Sequence, residues 1–180
     1  MRKADQIVRC VLDPKYFQSG DLLPAALFKL EKVDDRNERS VISVSYDLLF
    51  SNDAERHAYG RSVATVANAA SAHNKGRDLA EDEISRYLCH YNIRYSELQG
   101  RCWDFHSIFF CWRKEGTLRE HCEIEVAWNG RTDCTKAERR QERTDIVLWL
   151  WEISFGPQID PLADVSRVAL PVIAERVACA

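Results

Sequence analysis

Between Arg101 and Trp128 the chain reads RCWDFHSIFFCWRKEGTLREHCEIEVAW, gathering Cys102, Cys111 and Cys122, His106 and His121, and the acidic Asp104, Glu123 and Glu125. Thiolates with imidazoles suit tetrahedral zinc, whereas clustered carboxylates suit Mg or Mn, which prefer oxygen ligands. A hairpin turning at Glu115–Gly116 decides between them. It sets His106 opposite Glu125, Ile108 opposite Glu123, Phe110 opposite His121 and Trp112 opposite Arg119. Trp103, Phe105, Phe109 and Cys111 then share an apolar face with Cys122, Ile124, Val126 and Trp128. The other face carries Asp104, His106, Ile108, Phe110 and Trp112 with Glu125, Glu123, His121 and Arg119. A slip of one residue would bury Asp104 and His106 among Val126, Ile124 and Cys122, a costly placement. This register separates thiols from imidazoles and argues against zinc. No C-x-x-C pair occurs elsewhere to supply one.

The polar face is the candidate site. Asp104, Glu123 and Glu125 are the expected ligands for Mg or Mn, with His106 as a supporting acid or base for phosphodiester hydrolysis. An Asp on one strand and Glu-x-Glu on the next, within an α-β-β-β-α-β order, resembles the PD-(D/E)xK nuclease superfamily over roughly residues 79–155. That resemblance implies metal binding by Asp104 and Glu123, with Glu125 standing where the family usually has lysine. Trp103 stands where proline usually precedes the Asp. Arg9, Ser43-Val44-Ser45 and Glu123-Ile124-Glu125 also occur in the order of the Arg/Ser-x-Ser/Glu-x-Glu class of ADP-ribosyltransferases, with Val44 in place of threonine.

The reading that needs no chemistry is a solvated face whose charges form ordinary cross-strand pairs. Phe110 and Trp112 beside those charges then make it a contact surface. The leading expectation is accordingly a small cytoplasmic protein-binding domain that uses the charged and aromatic hairpin face, without a cofactor. A metal-dependent nuclease is the alternative. A protein partner or self-association is expected, and no membrane. Nucleic acid is a further possibility through Lys136, Arg139, Arg140 and Arg143, one stripe of the helix KAERRQER.

The elements that must position these residues follow from pattern. The chain has 180 residues, 46% of them hydrophobic and 29% charged, with net charge −3. That composition excludes global disorder and a strongly single-signed surface, and fits a single domain over residues 1–180. Seven cysteines, odd in number and irregularly spaced, with no export signal in MRKADQIVRC, indicate free thiols. QIVRCVL and VISVSY read as strands, LPAALFKL as a helix begun at Pro24, and EKVDDRNERS as a loop. Asn52 with Glu55 opens a helix that stops at Gly76 and presents mostly alanine. Asp78 with Glu81 opens a second helix through Leu79, Ile84, Leu88 and Tyr91. NIRYSEL reads as a strand, Thr135 with Glu138 opens a short helix, and DIVLWLWEISF reads as a central strand buried on both faces. A last helix follows Pro161 and is interrupted at Pro171. The expected fold is α+β, with a mainly antiparallel mixed sheet, a central 101–128 hairpin and about four flanking helices.

Overall fold

Antiparallel pairing of β-branched and aromatic segments organises the computed structural model, which describes residues 6–34, 38–99, 101–112, 118 and 121–174. The elements are β1 (Gln6–Asp13), β2 (Phe17–Gln18), β3 (Asp21–Leu22), α1 (Pro24–Leu27), β4 (Glu31–Asp34), β5 (Arg39–Tyr46) and α2 (Asp53–Lys75). They continue as β6 (Arg86–Arg94), α3 (Tyr95–Gln99), β7 (His106–Trp112), β8 (His121–Trp128), α4 (Lys136–Glu152) and β9 (Ser154–Ile159). Seven strands form one sheet in the order β7-β8-β5-β1-β6-β9, with β4 also paired to β5, while β2 and β3 make a separate hairpin. Every paired strand in the sheet runs antiparallel to its neighbour. The class is α+β, as expected. No described helix is long and apolar enough to cross a membrane.

Alternation along the strands separates two faces. Ile7, Val11, Ile42, Val44, Cys122, Ile124 and Val126 form the fully enclosed side, each at most 3% exposed. Helix α4 covers this side: Trp151 meets Tyr91 edge-on at 5.1 Å, and Ile146 and Leu150 are completely buried. Helix α2 lies on the other side, over β1 and β6. Its ends are as the residues dictate. The Asn52 side chain accepts the Glu55 N–H at 3.0 Å, the Glu55 carboxylate takes the Ser51 N–H at 2.7 Å, and Gly76 closes the helix at φ 62°. The expected alanine face is not the packed one: Ala54, Ala58 and Ala70 are exposed, and the close approach falls at Gly60 beside buried His57 and Ala64. A Cβ added at Gly60 would lie 2.3 Å from the Tyr87 ring.

Several expected elements differ. DIVLWLWEISF is helical through Glu152, and strand structure starts only at Ser154. Ile146, Trp149 and Leu150 recur at helical spacing while Leu148 is 47% exposed, so the run has one buried face and not two. The Thr135–Glu138 capping box therefore starts a 17-residue helix rather than a short one. The expected helix from Asp78 is a 3-10 turn at Glu81–Glu83 followed by strand β6. Glu83 is committed to Lys75, Arg77 and the Ala80 N–H, and Tyr87–Ile93 is buried between β1 and β9. NIRYSEL divides between the end of β6 and α3, and the expected loop EKVDDRNERS contains β4. From Pro161 to Ala174 the chain forms turns and isolated bridges, not a helix. The expected turn at Glu115–Gly116 lies outside the described residues.

Between α2 and the sheet, the Tyr87 hydroxyl lies 3.0 Å from His57 Nδ1 and 2.8 Å from His90 Nδ1. Its single proton can be donated to only one ring, so the other imidazole must donate from Nδ1. Burial, reinforced by the charge of neighbouring His57, holds the His90 pKa down at about 3. Burial lowers that of His57 as well. The unfolded chain takes up protons that the folded one refuses. The stability contributed by the neutral rings is thus complete above about pH 6.5 and declines as pH falls towards 3.

Gly60→Ala would gain about 1 kcal/mol of helix propensity at an open site. Against the Tyr87 ring it should instead destabilise by about 1–3 kcal/mol, read from the urea midpoint; a stabilised variant would show that the ring yields. His90→Gln keeps a partner for Tyr87 but cannot titrate. Between pH 6 and 4 its stability should fall less steeply than that of the wild type, by up to about 1.4 kcal/mol per pH unit. Equal slopes would remove His90 from the acid response.

Candidate ligand-binding cleft

The hairpin register places the expected site residues first. His106 lies opposite Trp128, Ile108 opposite Val126, Phe110 opposite Ile124 and Trp112 opposite Cys122. Strand β8 keeps the expected faces, with Cys122, Ile124 and Val126 completely buried, but β7 is inverted. His106, Ile108 and Phe110 turn to the core side, whereas Phe109 and Cys111 lie beside Glu125 and Glu123. The costly burial of His106, only 2% exposed, is offset by Glu142 of α4. Its carboxylate lies 2.6 Å from His106 Nδ1 and accepts the backbone N–H groups of Asp104 at 2.7 Å and Phe105 at 3.0 Å. Glu142 belongs to the helix KAERRQER, whose pattern draws notice only to its basic stripe. Nothing local ties it to residues 36 positions away.

The four residues therefore do not converge. Asp104 is exposed before β7 and His106 faces the core. Glu125 pairs with Arg39 at 2.8 Å, and Glu123 stands 3.7 Å from His121 on the opposite side of the sheet. Among the described residues, no three His, Cys, Asp or Glu side chains are grouped to hold a metal ion. The exposed aromatic beside the acids is Phe109, at 53%. Phe110 instead packs against Tyr46 and Tyr95, with centroids 5.7 and 5.5 Å away. The Trp112 side chain and Arg119 lie outside the described residues.

A different site arises where the sheet opens. β1 pairs with β6 along its whole length but with β5 only at Ile7–Tyr46 and Val8–Ser45. Beyond Val8, the facing edge of β5 is taken by β4. The gap forms a cleft of about 380 Å³ beneath α2. Leu12, Tyr59, Val63, Val66 and Ala67 supply apolar walls, and Lys15, Glu31 and His121 polar ones. Cys10 also lines it, but burial pushes its thiol up to about 12, which leaves it protonated and inert.

Arg9 reaches into this gap. It is 8% exposed, and its guanidinium donates to the Leu27 carbonyl at 2.8 Å, to the Tyr16 hydroxyl at 3.1 Å and to the Ser43 carbonyl. The last is a strand carbonyl that a continued β1–β5 ladder would have bonded. A guanidinium has five N–H groups, so these three bonds leave two without an acceptor among the described residues. No described carboxylate forms an ion pair with it. Arg56 is 6% exposed and bonds both oxygens of Asp47 as well as Asp53. Buried cations are ordinarily paired in this way. Lys15 adds a second cation, with its amine 5.4 Å from the Tyr16 ring centroid. The cleft thus collects the Arg and both Ser of the Arg/Ser-x-Ser/Glu-x-Glu pattern, and neither Glu123 nor Glu125 is in its lining. Sequence pattern singled out Arg9 by type. What it lacks is any signal that Arg9 would be buried without a counter-ion.

Glu142→Gln removes the charge that holds three N–H groups, and should cost about 1.5–3 kcal/mol in the urea midpoint. Amide exchange should rise first at Asp104–His106, and an unchanged midpoint would mean that water replaces the carboxylate. Among known proteins, no family model, no curated protein and no solved structure matches this chain.

Proposed function

We propose that this chain is a binding domain whose cleft takes a small carboxylate with an apolar body. The observation that carries the reading is Arg9: a buried guanidinium with two unused N–H groups and no ion pair to a described carboxylate, at a cavity whose apolar lining includes Leu12, Val63, Val66 and Ala67 and which Glu31 reaches without pairing to it. A ligand carboxylate would supply the missing counter-ion in the paired geometry that guanidinium favours. Lys15 at the cleft adds attraction for the same charge. The volume, about 380 Å³, lies near the low end for ligand pockets and favours a compact ligand over a dinucleotide. With Cys10 held as a thiol and the hairpin carboxylates outside the lining, the reading assigns recognition to the cleft rather than bond cleavage.

The test is thermal unfolding with hexanoate or 4-phenylbutyrate, each against its neutral amide. The acids should stabilise, by about 2.7 kcal/mol at a hundred times the dissociation constant, and the amides should not. Arg9→Gln should abolish the difference. Ala67→Trp, which fills the apolar part and leaves Arg9 intact, should abolish binding of the acids as well. Equal shifts from acid and amide, or a full shift in Ala67→Trp, would overturn the assignment.

A further inference from the structure

The four basic residues of KAERRQER do not act as one set. Arg139 donates to both oxygens of Glu38, at 3.1 and 2.9 Å, and its guanidinium carbon lies 4.9 Å from the Trp128 ring centroid. The bond to Arg139 lowers the Glu38 pKa, so that acid stays ionised and committed. Arg143 donates to the Ser40 hydroxyl at 2.6 Å. Lys136, Arg140 and Arg143 face a groove of about 700 Å³, whose other wall carries Lys29 and Lys32. Ala25, Leu30 and Val147 form apolar parts of its lining. Among the described residues, five cations thus surround one carboxylate, and that carboxylate is already neutralised by Arg139 from outside the groove. Lys29, Lys136 and Arg140 form no ion pair among the described residues and are exposed. In a chain of net charge −3 this is a local reversal of sign.

We infer that this groove binds the phosphate backbone of a double-stranded nucleic acid. On α4, Lys136, Arg140 and Arg143 fall at positions i, i+4 and i+7, one stripe spanning about 10 Å of helix at ~1.5 Å per residue. A stripe of that length lies within reach of successive phosphates on one strand of a duplex. Guanidinium groups at two of the three positions match phosphate oxygens in pairs. The lining contains no aromatic residue on which an unpaired base could stack, which favours a duplex over a single strand. It also lacks the buried aromatic anchors typical of protein-binding hot spots. Contacts of this kind position the duplex and carry no base specificity.

Fluorescence anisotropy with labelled duplexes of about 20 base pairs tests the inference on the full chain. Three to five phosphate contacts predict a slope of log K against log salt of about −2.7 to −4.5, or about a 40- to 500-fold loss between 50 and 200 mM salt. Lys136→Ala with Arg140→Ala should weaken binding of every sequence alike and reduce the slope by about 1.8. Both side chains are exposed, so the fold should survive; unfolding midpoints check this. Arg86→Ala, exposed and outside the groove lining, should change neither affinity nor slope. The inference is overturned by absence of binding at 50 mM salt, or by a slope that the double variant leaves unchanged. Stronger competition by poly-glutamate than by unlabelled duplex would also overturn it, in favour of an acidic protein.

Discussion

Strand β1 is paired to β6 from Gln6 to Asp13 and yet holds β5 at only two positions. This asymmetry shapes the centre of the molecule. A strand carbonyl left inside a protein without a partner costs roughly as much as a lost hydrogen bond, so the parting of β1 from β5 must be met by something. The side chain of Arg9 does so, by taking the Ser43 carbonyl and, through Leu27 and Tyr16, the segment that runs beneath it. The opening, its cation and the placement of α1 are therefore one arrangement. Closing the ladder would remove the cavity and leave the guanidinium nowhere to go.

A second long-range polar contact orients the hairpin. Glu142 gathers three N–H groups at the start of β7, and this makes it possible for an imidazole to enter the core side. Without that carboxylate the buried imidazole and two backbone N–H groups would lack a partner, which is the cost that favours the opposite face of β7 in the local pattern. Two side chains from distant parts of the chain thus set features that local pattern would assign differently.

What could be read from the residues follows the range of the forces involved. Asn52, Gly76 and the Thr135–Glu138 pair act within one helical turn, and each marks its boundary as it does in isolation. The strands at Gln6–Asp13 and Arg39–Tyr46, and the buried face of β8, follow from period-two alternation against a core. DIVLWLWE misleads because a dense apolar run hides which positions are solvated until Leu148 is seen outside. RYLCHYNIR misleads because acidic residues before it imitate a helix start, while its two flanking strands decide the outcome. The candidate site was less legible than the fold. The acids at Glu123 and Glu125 were visible by spacing, but their separation from His106 depends on Glu142. The cleft depends on a missing pair, which no spacing expresses.

The segment from Pro24 to Asp34 has a consequence of its own. On one side its Leu27 carbonyl holds Arg9 and its Glu31 lines the cleft; on the other, Lys29 and Lys32 form a wall of the basic groove. The two cavities are thus separated by a partition only a few residues thick. Any occupant that shifted the partition would be felt on its far side. Thermodynamic linkage makes such an influence symmetric: a ligand that changed duplex affinity by some factor would have its own affinity changed by the same factor when duplex was bound.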